Sequence, residues 1–220
     1  MPRTEAPVGA QQWVPAEPTS IDQLKSAAAG CEGCELYANA TQTVFGRGAP
    51  HASVVFVGEQ PGDVEDQHGL PFVGPAGRVL RDAVGDVGID PADVYITNAV
   101  KHFRFEPRGK RRIHQTPGPA HITACRPWLV SEFALLKPKI VVMLGATAGK
   151  ALLGPSFRVT QARGRLMPWP ASAQHPEDFP VAEVQALATI HPSAVLRADD
   201  RETAYRSLVD DLKVAAEAVR

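Results

Sequence analysis

The segment SVVFVGE, Ser53–Glu59, decides the fold. It is a short β-rich apolar run without alternation, and it ends on a glycine. That is the pattern of a strand buried on both faces, as in parallel sheets. Three similar runs follow: VYITNAV (Val94–Val100), KIVVMLG (Lys139–Gly145) and VQALATI (Val184–Ile190). Between and after them lie helical patterns. Ala76 to Val87 places Val79, Leu80, Ala83, Val84 and Val87 on one face. Pro119 to about Leu136 reads as a helix bent at Pro127, and Ala146–Leu153 as another. Arg201 to Val219 closes the chain with Leu208, Leu212 and Val219 on its apolar face. Upstream, Ser20 and Gln23 form a capping-box pattern, so a short helix runs to about Ala29 and stops at Gly30. Residues 60–75, 101–119 and 154–182 read as irregular.

Strands alternating with helices predict an α/β fold: a three-layer α/β/α sandwich around a central, mainly parallel four-stranded sheet. Ligands in such folds bind beyond the C-terminal ends of the strands. The segments to inspect are therefore GEQPG, NAVKHF, GATAGK and HPSAVLR.

The composition is that of an ordinary globular protein, with 44% hydrophobic and 21% charged residues in a chain of 220. One domain is expected over 19–220, behind a mobile, proline-rich arm over 1–18. No apolar run approaches the roughly 20 residues of a membrane span, and the N-terminal stretch lacks the apolar centre of a secretion signal. A soluble, cytoplasmic protein is expected. The net charge of −1 argues weakly against a nucleic-acid partner. Yet the charge is segregated. KHFRFEPRGKRRIH holds Lys101, Arg104, Arg108, Lys110, Arg111 and Arg112 against Glu106 alone. With Phe103 and Phe105 interleaved, this loop suits a nucleic-acid backbone; a solvated basic loop is the plainer alternative.

Cys31, Cys34 and Cys125 are an odd count, which argues against a disulfide framework in a reducing compartment. Cys31-x-x-Cys34 reads as half of a metal or cluster site, as a redox pair, or as neither. GATAGK is not a phosphate loop, because three residues separate Gly145 from Gly149 and alanine follows Lys150. It reads as a tight strand-to-helix turn. GEQPG sets Glu59 and Gln60 between Gly58 and Gly62, where bare backbone lets a flat ligand approach closely. Glu59 is a solvated loop acid or, given its place at the ligand edge, a functional one. Asn98 makes a turn, or uses its acceptor and two donors on the edge of a base. His191 caps a loop, or donates to negative charge developing on a leaving group.

Together, GEQPG, GLPFVGPAG (Gly69–Gly77), VYITNAVK and HPSAVLR resemble the motifs of the uracil-DNA glycosylase superfamily. Cys31, Cys34 and Cys125 resemble its iron–sulfur branch, family 4, and GKRRIH (Gly109–His114) resembles the UdgX subgroup. The resemblance implies a [4Fe–4S] cluster on these three cysteines. Family 4 has a fourth cysteine where this chain has His102. Either His102 is the fourth ligand or the cluster has three protein ligands, and His102 is favoured because histidine can replace cysteine at such irons. The cluster's implied task is structural.

The resemblance further implies that a uridine is flipped from DNA into a pocket. Phe72 would stack on uracil, Asn98 would read its edge, and the backbone around Gly58, Gln60 and Gly62 would approach it. His191 would donate to O2 as the bond breaks. Glu59 would stabilise the oxocarbenium-like sugar or position a water. Lys101, Lys110, Arg111, Arg112, Ser193, Leu196 and Arg197 would meet the DNA. His114 would attack C1′ and stay attached, so the enzyme acts once. An imidazole is largely neutral at pH 7 and nucleophilic, so the chemistry allows it. The alternatives are a hydrolytic, multiple-turnover family 4 enzyme and a non-catalytic sensor of damaged DNA. The implied partner is uracil-containing DNA, single-stranded and as an open alternative double-stranded. A monomer with no membrane partner is expected, associated with the nucleoid through DNA.

Overall fold

A computed structural model of the chain describes residues 8–169 and 184–220. In chain order its strands are β1 (Arg47–Gly48), β2 (Val54–Gly58), β3 (Val94–Asn98), β4 (Phe105–Arg108), β5 (Arg111–His114), β6 (Ile140–Leu144), β7 (Leu166–Pro168) and β8 (Gln185–Thr189). The α-helices are α1 (Ile21–Ala28), α2 (Asp63–His68), α3 (Pro75–Asp86), α4 (Pro119–Leu136), α5 (Gly145–Leu153), α6 (Val159–Ala162), α7 (Pro192–Arg197) and α8 (Arg201–Val219).

The four apolar runs all become strands. They lie side by side and parallel in the order β3-β2-β6-β8. The expected four-stranded sheet is nevertheless too small. β1 pairs antiparallel with β3 at one edge and β7 pairs antiparallel with β8 at the other, giving a mixed sheet of six strands. These edge strands are two and three residues long. Nothing that short carries a period, so its pairing is set by its neighbours, not by its own pattern. Pro168 ends the edge strand β7, where a missing donor costs no ladder bond.

Alternate residues of each central strand feed opposite cores. Val55, Val57, Val141, Met143 and Ala186 pack with Leu129, Phe133 and Leu136 of α4 and Leu152 of α5. Val54, Phe56, Val142, Leu144 and Leu187 pack with Leu80, Ala83 and Val84 of α3 and Leu208 and Leu212 of α8. The three layers follow from this period of two. A third cluster, built on α1, α4 and the cysteines, sits beside the sandwich and holds Leu24, Cys31, Cys34, Phe45, Cys125 and Trp128.

Three stretches expected to be irregular contain structure. α2 lies within 60–75. Residues 101–119 contain the β4–β5 hairpin, turning on Gly109 and Lys110 with a positive φ at Gly109. α6 and β7 lie within 154–169, while the rest of that irregular stretch, 170–182, falls outside the described residues. Of the arm expected over 1–18, residues 1–7 also lie outside. From Gly9 on it is docked: Gly9 N–H donates to Gly33 O at 3.0 Å, and Ala10 is buried beside the cysteine cluster. The Ser20 cap forms, with Ser20 Oγ accepting from Gln23 N at 3.2 Å. Among the described residues no helix is long and apolar enough to cross a membrane.

Candidate active site

The C-terminal ends of β2, β3 and β8 open onto a cavity of about 500 Å3. Glu59 and Gln60 follow β2, Asn98 ends β3, Phe72 comes from the loop between α2 and α3, His191 follows β8, and His114 ends the hairpin. Residues far apart in the chain thus meet in one chamber, as the strand-end rule requires.

Its floor depends on glycine. A Cβ on Gly58 would overlap Asn98 Oδ1 and stand 2.7 Å from Phe72 Cζ. A Cβ on Gly62 would stand 2.6 Å from Glu65 Oε2. Phe72 itself holds a left-handed φ of 54°, costly for a bulky residue. It is kept there by Arg81 Nη1, which donates to its carbonyl at 2.9 Å. Asn98 Oδ1 is buried and has no hydrogen-bond partner among the described residues. An orphaned acceptor in a cavity is a site awaiting a donor from a ligand.

His191 is oriented by the hydrogen bonds that its ring accepts. Its Nδ1 accepts from Ser193 N at 3.1 Å and lies 2.7 Å from Ser193 Oγ. Nδ1 is thereby the unprotonated nitrogen, and Nε2 carries the hydrogen. Arg197 Nη1 donates to Ser193 Oγ at 3.0 Å. Burial, reinforced by the nearby positive charge of Arg197, holds His191 down to about 4, so it is neutral at pH 7. Ser193 and Arg197, expected at the DNA, therefore also form the chain that sets this ring. Leu196 is half-buried in α7.

Glu59 is held between two elements. Its Oε2 accepts from Thr147 Oγ1 at 2.5 Å. Its Oε1 lies 3.3 Å from His114 Nε2, an ion-pair distance without hydrogen-bond alignment. His114 is half-exposed at the cavity mouth. Thr147 escaped the sequence reading, although its position just after a strand end was the available signal.

The hairpin that carries His114 is tied down at both ends. Gln60 Oε1 accepts from Arg104 N at 2.9 Å, and Gln60 Nε2 donates to the carbonyls of Arg104 and Gln115, each at 3.1 Å. The Gln60 side chain thus holds protein. Arg112 reaches Asp63 and Asp66 of α2 at 2.5 Å each, and its guanidinium lies over the rings of Phe103 and Phe105. Lys101 is fully buried, with Nζ 2.6 Å from Glu132 Oε2 and donating to Thr97 Oγ1 and the Asn98 carbonyl. Lys101 is thus committed inside the protein, and the expectation that it meets DNA does not fit; Arg112 stays partly exposed but is paired with Asp63 and Asp66. Their charge was legible, but Glu132, Asp63 and Asp66 are remote in sequence. Lys110 and Arg111, at the hairpin turn, are exposed.

Cys31, Cys34 and Cys125 are buried in the third cluster. Trp128 Nε1 donates to Cys31 Sγ at 3.3 Å and Lys101 N to Cys125 Sγ at 3.2 Å. Burial pushes the Cys125 thiol up to about 12 and raises Cys34 as well, and neighbouring thiols raise these two further. Buried thiols with N–H groups aimed at sulfur are a donor set that suits an iron–sulfur cluster, whose positive charge would favour the thiolates. Among the described residues no three His, Cys, Asp or Glu side chains are grouped to hold a metal ion. His102 is buried, and its Nε2 lies 2.9 Å from Thr43 Oγ1. Burial lowers it to about 4, which leaves a neutral ring.

Comparison with known proteins shows the family of the chain. The model of the Uracil DNA glycosylase superfamily matches residues 45–213. The Type-4 uracil-DNA glycosylase of Sulfurisphaera tokodaii is 34% identical over 182 residues, covering 80% of this chain and 76% of that one. The Type-4 uracil-DNA glycosylase of Thermotoga maritima is 34% identical over 191 residues, covering 86% and 90%. That of Pyrobaculum aerophilum is 33% identical over 177 residues, covering 80% and 85%. With a family model spanning the sheet and its site, and relatives similar along most of their own length, the chain belongs to the uracil DNA glycosylase superfamily.

Proposed function

We propose that this protein excises uracil from DNA and then bonds to the abasic sugar through His114. The carrying observation is the placement of His114 Nε2, 3.3 Å from Glu59 Oε1, at the mouth of the cavity that holds Asn98, Phe72 and His191. Family membership supports the glycosylase step; the hairpin geometry supports the second.

In this reading the flipped uracil lies against Phe72, and its N3–H meets the orphaned Asn98 Oδ1. The bond from N1 to C1′ breaks with its electron pair leaving on uracil. The Nε2–H of neutral His191 donates to O2, where that charge accumulates. Glu59, its other oxygen fixed by Thr147, faces the developing positive charge on the sugar. The Nε2 lone pair of His114, with the ring proton on Nδ1, then forms a bond to C1′. The resulting imidazolium loses its Nδ1 proton to solvent, which the half-exposed ring permits. A neutral substituted imidazole is a poor leaving group, so the adduct persists.

Cys31, Cys34, Cys125 and His102 would hold the [4Fe–4S] cluster. When bound, it ties the N-terminal segment, the start of the hairpin and α4 together; it takes no part in the bond changes.

The test is incubation with single-stranded DNA containing uracil, followed by heating in detergent. A shifted protein–DNA band is expected from the wild type and not from His114→Ala. Free abasic product with many turnovers per molecule would instead establish the hydrolytic enzyme, and no release of uracil would establish a binding protein.

A further inference from the structure

Lys101 and Glu132 form a pair of opposite charges with no exposed side-chain surface. The ammonium of Lys101 has three hydrogens and meets three acceptors: Glu132 Oε2 at 2.6 Å, Thr97 Oγ1 at 2.6 Å and the Asn98 carbonyl at 2.9 Å. Glu132 is satisfied as well, its Oε1 accepting from Tyr95 Oη at 2.8 Å and from Thr97 Oγ1 at 2.9 Å. Gly46 leaves room for this, since a Cβ there would overlap Tyr95 Oη and Glu132 Oε1. Taking two charges out of water is costly, and apolar side chains of similar volume often hold two elements together as well or better. The pair is therefore not required to pack β3 against α4. What apolar side chains cannot do is fix a carbonyl at hydrogen-bond distance.

That carbonyl belongs to the residue whose side chain reaches the cavity. On the β2 side, the end of β3 is held by Ala99 N and Val100 N, which donate to Gly58 O at 2.9 Å and Glu59 O at 3.0 Å. β1 pairs with Tyr95 and Ile96 and goes no further along β3. Past that point the Asn98 carbonyl takes its bond from the Lys101 ammonium. Glu132, which holds the ammonium, sits two turns after Cys125 on the same face of α4. Lys101 N also donates to Cys125 Sγ at 3.2 Å. The end of β3 is thus pinned to a helix where the strand pairing stops.

We propose that Lys101, held by Glu132, is a positioning residue for Asn98: the buried pair fixes the backbone from which the Asn98 amide meets uracil. The proposal rests on the glycosylase reading and deepens it, because it assigns the uracil preference of the site to a pair with no surface in the cavity. Hydrogen bonds weaken steeply outside a narrow range of distance and angle, and a misplacement of about 1 Å in a site can cost about a hundredfold. Asn98 Oδ1 has little freedom to compensate for a shifted backbone, because Gly58 lies against it.

The test is a double-mutant cycle on the full-length protein. Lys101→Met together with Glu132→Gln removes both charges at nearly constant volume. It leaves Tyr95 and Thr97 an acceptor and keeps the backbone N–H that bonds Cys125. This paired change is made with and without Asn98→Ala. Each protein is titrated with two single-stranded oligonucleotides that differ at one nucleotide: 2′-fluoro-deoxyuridine, whose glycosidic bond resists cleavage, or 2′-fluoro-deoxycytidine. The ratio of the two affinities is the uracil preference. With Asn98 present, the paired change lowers this preference about tenfold, while affinity for the cytosine oligonucleotide stays within about twofold. With Asn98→Ala, the paired change alters the preference less than about twofold, because the residue it acts through is gone. A structural role alone would weaken both oligonucleotides alike and would cost both backgrounds the same. Should the paired variant fail to fold, Glu132→Asp, which keeps both charges but withdraws the carboxylate from Lys101, goes through the same cycle with an expected loss of about threefold. An unchanged preference, or an equal loss with and without Asn98, overturns the proposal. The glycosylase reading is judged separately, by release of uracil from an ordinary deoxyuridine oligonucleotide. No release by the wild type overturns that reading and this proposal with it; release with an unchanged preference in the variant overturns this proposal alone.

Discussion

Arg112 sets Nη1 2.5 Å from Oδ2 of Asp66, a carboxylate with no exposed side-chain surface. The pair joins β5 to α2, two residues before His114 and next to the GEQPG turn. Asp66 also accepts from Thr41 N and Thr41 Oγ1, so it keeps partners when Arg112 is removed. Arg112→Ala should therefore unfold nothing outright but cost about 1–3 kcal/mol, less than the loss of a fully buried partner. Its larger effect falls on His114, whose strand is released from α2. The heat-stable adduct should form at least about tenfold more slowly, the rate equivalent of about 1.4 kcal/mol, while uracil release changes less. Single-turnover kinetics that follow both products check this; equal losses in the two would show that Arg112 acts on the glycosidic step.

Gln60 holds the other end of the same hairpin. Its amide makes three hydrogen bonds to the backbone of Arg104 and Gln115. Gln60→Ala leaves those groups unpaired in a half-buried place and should cost about 1–3 kcal/mol. Gln60→Glu keeps the acceptor for Arg104 N and sets a carboxylate against two carbonyls, so it should be no better than alanine. Denaturation midpoints for the two variants, together with adduct yield, test whether the clamp or the mere presence of an amide matters.

These two contacts also mark where the sequence stops being legible. The central strands announce themselves, because Val54–Gly58 and Ile140–Leu144 bury both faces and so carry an unbroken apolar run, and Val94–Asn98 and Gln185–Thr189 come close to it. The strand-end rule then brings Glu59, Asn98 and His191 to one edge. The hairpin could not be read, since PRGKRR has no β-branched residue and the face that carries His114 holds Phe105, Pro107 and Arg112 beside it, a mixture of types. Charge runs mislead for a related reason. Lys101 and Arg112 look like their exposed neighbours until their partners, Glu132, Asp63 and Asp66, are folded onto them. The tautomer of His191 depends on an N-cap geometry that forms only at the start of α7.

The cysteine cluster gives a prediction about metal. Protein purified without oxygen should be brown and hold iron and acid-labile sulfide in equal amounts. Removing the iron with a chelator, or substituting Cys125→Ser, should lower stability by several kcal/mol because the ligands are otherwise buried thiols. For a chain of this size that is about 10 °C in Tm. His102→Ala should make the iron more easily lost. A colourless protein with zinc and no iron contradicts the cluster, and a His102→Ala protein that keeps its iron as long as the wild type contradicts the fourth ligand.

His191 should make the fold sensitive to acid. Its proton affinity is lowered in the folded protein, to about 4 from an ordinary value of 6.5. Between those two values the unfolded chain binds the extra proton and the folded one does not. Stability is therefore full above about pH 6.5, falls as the pH drops toward 4, and levels off below. His191→Gln removes this contribution. Urea midpoints measured from pH 7 to pH 4 should fall more steeply for the wild type than for the variant. Parallel curves would mean that Nδ1 can be protonated without losing the Ser193 cap.

Gly58 tests the chamber itself. It ends β2, and a methyl group there would run into Asn98 Oδ1 and crowd the edge of the Phe72 ring. Neither neighbour can retreat easily. Asn98 lies in β3 beside Gly58, and Phe72 is held by Arg81 in a strained conformation. The methyl therefore occupies the floor on which uracil would lie. Gly58→Ala should cost about 1–3 kcal/mol in stability, the range for overpacking a well-filled site, and about a hundredfold or more in kcat/KM for uracil release, which corresponds to about 2.7 kcal/mol of lost transition-state stabilisation. Binding to DNA without uracil should be unchanged, because Lys110 and Arg111 sit at the exposed hairpin turn and do not line this cavity. A Gly58→Ala protein that releases uracil at the wild-type rate would place the base elsewhere in the cavity, away from Asn98.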